Sequence, residues 1–81
     1  MNRFIWVDPA KADLRQIDRE HAVQILHALT RYSNSGEGDV KRLKGSSDFR
    51  LRVGDYRVRF EIQMDGSLRI LQVKHRREAY R

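Results

Sequence analysis

Hydrophobic and polar residues change their spacing halfway along this chain. Arg3-Phe4-Ile5-Trp6-Val7 is a short run of aromatic and β-branched residues and predicts a strand. It stops at Asp8-Pro9, where Asp8 can cap a helix and Pro9 suits its first position. Ala10, Leu14 and Ile17 then recur at i, i+4 and i+7, one face of a helix. A break near Asp18, itself a capping residue, precedes Ala22, Ile25, Leu26 and Leu29 at i, i+3, i+4 and i+7. Two amphipathic helices near 9–17 and 19–33 are expected, packed as an antiparallel pair. The polar segment from Ser33 to Asp39, with Gly36 and Gly38, reads as a loop.

Beyond that loop the period becomes two. Phe49, Leu51 and Val53 alternate with Arg50 and Arg52, and Tyr56, Val58, Phe60 and Ile62 alternate with Arg57, Arg59 and Glu61. A third run from Leu68 to Lys74 alternates less cleanly. Gly54-Asp55 and Asp65-Gly66 are two-residue turn candidates, the second a type I′ signal. The order β-α-α-β-β-β predicts one α+β domain over residues 1–81, with a helical pair on one face of a mainly antiparallel sheet.

Two-residue turns fix which residues face each other. Across the first, Arg52 meets Arg57, Leu51 meets Val58 and Arg50 meets Arg59. Across the second, Phe60 meets Leu71, Val58 meets Val73, Arg59 meets Gln72 and Arg57 meets Lys74. One face is then Phe49, Leu51, Val58, Phe60, Leu71 and Val73, a core for the helices. The other carries Arg50, Arg52, Arg57, Arg59 and Lys74, with Arg76 just beyond. Like charges opposed on neighbouring strands repel by roughly a few tenths to 1 kcal/mol per exposed pair. Convergent guanidiniums are better explained as a phosphate clamp, each presenting a planar fork to an anionic oxygen.

Composition sharpens this reading. Seventeen Lys and Arg against eleven Asp and Glu give a net charge of +6 on 81 residues, which favours a polyanionic partner, nucleic acid or acidic protein. There is no cysteine, so neither a disulfide nor a thiolate metal site is available. Apolar stretches of only a few residues exclude a membrane helix, and the N-terminus lacks the apolar segment of a signal peptide. A cytoplasmic location is the expectation.

The second half carries a more specific pattern. Leu43-Lys44-Gly45, the run from Phe49 to Val58 (FRLRVGDYRV) and the terminal Val73-Lys74-His75-Arg76-Arg77-Glu78-Ala79-Tyr80-Arg81 together resemble the RelE family of the RelE/ParE toxin superfamily. The resemblance in layout covers nearly the whole chain. It implies the toxin of a type II toxin–antitoxin system, a ribosome-dependent endoribonuclease that occupies the ribosomal 30S A site against rRNA and cuts mRNA there. It implies attack of a ribose 2′-OH on the adjacent phosphate without metal or cofactor, and inhibition by a cognate antitoxin in a hetero-oligomer. Such chemistry needs deprotonation of the nucleophile, stabilisation of a phosphorane and protonation of the leaving oxygen.

Carried over by position, Arg57 and Arg76 are implied to stabilise the phosphorane, Arg50 and Arg52 to place the backbone with Arg52 at the reacting centre, and Tyr80 to orient the RNA. Arg59, Lys74, Arg77 and Lys44 complete the RNA-binding set. Arginines stand where some relatives carry lysines, and an arginine is a poor proton acceptor. His75 is the candidate for proton transfer, although the register points it to the core side unless the strand ends first. His21 and His27 read as helix-surface or core-edge residues, Glu61 as a balance for arginines, and Trp6 as core or partner interface. Two alternatives stay open: a ParE-like toxin that inhibits DNA gyrase, and a catalytically degenerate RNA-binding member of the superfamily.

Overall fold

A computed structural model describes residues 3–79. The elements are β1 (Phe4–Trp6), α1 (Asp8–Arg15), α2 (Arg19–Ser35), β2 (Asp39–Arg42), β3 (Phe49–Val53), β4 (Tyr56–Ile62), β5 (Leu68–His75) and α3 (Arg76–Ala79). The expected α+β order is present, with β2 and α3 added to it.

Local chemistry explains the helix ends. Asp8 is the first helical residue of α1, and Val7 occupies the cap position with no side-chain bond, so Asp8 complements the positive helix end instead of capping it. Asp18 does cap α2, its carboxylate accepting the His21 N–H at 3.3 Å. It also meets His21 Nδ1 at 2.6 Å; this bond lowers the Asp18 pKa below its ordinary 3.8 and raises that of His21 above 6.5. The helix outruns its expected end at residue 33 and closes on Gly36, whose φ of 78° is a left-handed conformation that glycine adopts without steric cost.

The sheet runs β1-β5-β4-β3-β2, with β1 parallel to β5 and every other pair antiparallel. Strand β2 begins at Asp39, the last residue of the expected polar loop; it has one apolar residue, Val40, set opposite Leu51. Its backbone pairing with β3, rather than any alternation of its own, makes it a strand.

The β3–β4 hairpin has the expected register: Arg50↔Arg59, Leu51↔Val58, Arg52↔Arg57 and Val53↔Tyr56. Gly54 at the first central position has φ 57° while Asp55 has negative φ, as a type II′ turn requires. The second hairpin departs from expectation. A type I′ turn needs positive φ at both central residues, and Asp65 is not in that region. Instead Met64-Asp65-Gly66 forms a three-residue loop, closed by Gly66 N–H to Gln63 C=O at 2.9 Å and Gln63 N–H to Ser67 C=O at 2.8 Å. Asp65 Oδ1 accepts from Ser67 Oγ (2.6 Å) and Ser67 N–H (2.9 Å), bonds that hold its pKa below the usual carboxylate value.

The longer loop shifts the pairing by one residue, so that Phe60 faces Ile70 and Ile62 faces Leu68. A bulge at Leu71 then restores the expected Arg59↔Gln72, Val58↔Val73 and Arg57↔Lys74. The core differs accordingly from the one a two-residue turn predicts: Leu68 and Ile70 are buried in it, and Leu71 is only half-buried.

Ala10, Ile25 and Leu29 of the helices pack on Leu51, Val58, Phe60, Leu68, Ile70 and Val73. Phe60 is at the centre, stacked by Phe49 at 5.7 Å and met edge-on by Tyr32 at 5.5 Å. Trp6 is partly buried against this core, whereas Leu26, expected on the inner face of α2, is 41% exposed. Among the described residues no helix is long and apolar enough to cross a membrane.

Candidate nucleic-acid interface

The sheet face opposite the core is built from two rows crossing the strands. One is Asp39, Arg52, Arg57 and Lys74; the other is Lys41, Arg50, Arg59 and Gln72. The expected arginines of β3 and β4 share this face. Strand β2 adds Lys41 and Asp39, neither of which the sequence had indicated; recognising the short β2 pairing was the signal needed.

Equal placement on the face does not mean equal availability. Arg59 Nε donates to the mostly buried Asp48 carboxylate at 2.7 Å. Arg57 is 8% exposed, and its Nη1 donates to the carbonyls of Gly54 and Tyr56, both at 3.0 Å, so it is anchored on its own hairpin turn. Lys74 Nζ is drawn over the sheet edge to Asp13 of α1 at 3.0 Å. The same carboxylate accepts the Val73 N–H at 3.0 Å, covering β5 just beyond the point where β1 stops pairing with it. Arg52 and Lys41 are exposed, and they line a concavity of about 80 Å³ together with Arg50, Arg57 and Asp39.

The remaining expected residues lie elsewhere. His75 pairs with Tyr56 at the end of β5, its ring edge-on to Tyr56 at 5.5 Å, and its Nδ1 accepts the Arg77 N–H at 3.3 Å. Tyr56 packs on the core with His21 on its other side, so His75 is across the sheet from the arginine rows. Proton transfer by His75 within that cluster is therefore not supported by the geometry, because the register sends its side chain to the helix side. Arg76 and Arg77 belong to α3, beyond the sheet; Arg76 N–H bonds Asp55 C=O, and its Nε lies 3.8 Å from the Asp55 carboxylate. Lys44 is in the Leu43–Asp48 loop, at the end of the sheet away from the Gly54-Asp55 turn. Glu61 faces Arg69 at 3.6 Å rather than the arginine cluster. His27 is exposed on α2, and Tyr80 lies outside the described residues.

A five-stranded sheet with a parallel first strand, helices on one face and cations on the other defines a class already known from solved structures. The RelB–RelE antitoxin–toxin complex of Methanococcus jannaschii matches with a TM-score of 0.77 and 25% identity, over 94% of each chain. The RelE–RelB complex of Pyrococcus horikoshii matches with 0.78 and 24%, over 95% of this chain and 97% of that one. The isolated Escherichia coli RelE toxin shares the fold at 0.77 and 15% identity, over 99% of this chain and 92% of the other. No curated protein matches by sequence. The family described as ParE toxin of type II toxin–antitoxin system, parDE, matches residues 4–80. The chain belongs to that family, within the RelE/ParE superfamily.

Proposed function

We propose that this type II toxin is a ribosome-dependent endoribonuclease that grips mRNA in the ribosomal A site on the Lys41, Arg50, Arg52 and Arg57 face and is restrained by a cognate antitoxin. The observation that carries the reading is the direct opposition of Arg50 to Arg59 and of Arg52 to Arg57 on neighbouring strands. Asp48 offsets part of this repulsion through Arg59, but Lys41, Arg50, Arg52 and Arg57 around the concavity outnumber its one carboxylate, Asp39, and entering phosphates offset that excess. Similar solved toxins are described in complex with RelB antitoxins, which supports an acidic or charge-complementary protein partner for a chain of net charge +6. In this reading Arg52 and Arg57 steady the phosphorane, Arg50 and Lys41 hold the flanking backbone, and Arg76 and Arg77 of α3 add cationic charge beyond the end of β5.

Expression without antitoxin should arrest growth and leave cuts within translated messages, mapped by primer extension. A second reading, inhibition of DNA gyrase by a ParE-like toxin, is favoured by the family match. Intact messages together with lost supercoiling activity of purified gyrase would select it.

A further inference from the structure

Cleavage by a ribose 2′-OH needs a group to take its proton, and arginines do not serve near neutrality. The histidines lie off the basic face: His21 and His75 flank Tyr56 on the helix side, and His27 is exposed on α2. Of the carboxylates near the face, Asp48 is held by Arg59 and Glu61 faces Arg69 towards the far end of β4. Asp39 is the carboxylate that lines the concavity with Lys41, Arg50, Arg52 and Arg57. It is exposed on β2 and sits directly across the ladder from Arg52.

We infer that Asp39 is the proton acceptor of the cleavage reaction, an inference that rests on the endoribonuclease reading. A carboxylate is ionised at neutral pH and can accept a hydrogen bond from a ribose hydroxyl. One Asp39 oxygen takes the 2′-OH proton as the O2′–P bond forms; the P–O5′ bond breaks, and water protonates the departing 5′ oxygen. The products are a 2′,3′-cyclic phosphate and a 5′-OH. Arg52 and its neighbours hold the charge that builds on the phosphorane.

The competing role for Asp39 is that of a counterion to Arg52, and the two roles predict opposite behaviour on neutralisation. Single-turnover cleavage of a defined mRNA on purified ribosomes, followed from about pH 4 to 8 by primer extension, separates them. Asp39→Asn should slow cleavage by about 100-fold or more while single-stranded RNA binds as tightly as before or more tightly. The acid limb of the wild-type pH profile should be absent in Asp39→Asn, and Asp39→Glu should recover part of the rate. Asp39→Asn cleaving within a few-fold of wild type, with a native circular-dichroism melt, overturns the inference alone. Failure of the wild type to cut ribosome-bound mRNA overturns the endoribonuclease reading and the inference together.

Discussion

Arg57 shows how one side chain can serve two demands. One guanidinium nitrogen, Nη1, closes the β3–β4 turn by donating to two carbonyls, and the side chain also lines the concavity. Lysine at this position keeps the charge, but its flexible ammonium lacks the rigid, planar guanidinium that holds Nη1 against both carbonyls. Arg57→Lys should therefore lower stability by about 1–2 kcal/mol, read from the urea midpoint at constant slope. The Asp18–His21 pair gives a prediction of pH dependence. A raised histidine pKa stabilises the fold fully below 6.5 and less as pH rises through the folded value; a lowered aspartate pKa stabilises above 3.8 and less as pH falls through its folded value. The contribution of this pair is thus full between those two values. An NMR titration should place His21 above 6.5 and return it towards that value in Asp18→Asn. An unmoved His21 titration in the variant would remove the pairing as the cause.

At the scale of elements, the β4–β5 hairpin illustrates a turn signal that named the right residues and the wrong geometry. Asp65-Gly66 does form the reversal, but one extra loop residue moves the register, and the bulge at Leu71 moves it back. Gly66 has φ 87° with no neighbour within 4 Å of an added Cβ, so Gly66→Ala meets backbone strain alone. That substitution should cost roughly 1–2 kcal/mol in chemical denaturation. The bulge makes a sharper comparison: Ile70→Ala removes a fully buried side chain and should cost about 2–5 kcal/mol, and Leu71→Ala distinctly less. Equal losses would contradict the bulged register. Strand β2 was not legible because three of its four residues are polar, and α3 because a four-residue helix carries no periodicity.

For the whole molecule, charge is gathered on one face and then partly engaged by carboxylates from distant parts of the chain. Single-stranded RNA should bind with an affinity that falls steeply with salt, at a log–log slope of about 0.7 for each phosphate contacted. Lys41→Glu and Arg52→Glu should each weaken that binding and flatten the slope, measured by fluorescence anisotropy. Arg69→Glu, directed at a residue paired with Glu61 outside the concavity, should change it far less.

The sequence by itself determined the helix start at Asp18, the register around Gly54-Asp55 and the gathering of Arg50, Arg52, Arg57 and Arg59 on one face. All three follow from local rules, a cap and a period of two, that act over a few residues. Only the tertiary structure decided which of those cations face open solvent. Lys74 is engaged by Asp13, 61 residues away, and Arg59 by Asp48, 11 residues away across the sheet. It also decided that β2 brings Asp39 and Lys41 to the face and that His75 lies behind it. Partnership between side chains depends on reach and direction after the strands have assembled, and no spacing along the chain encodes that.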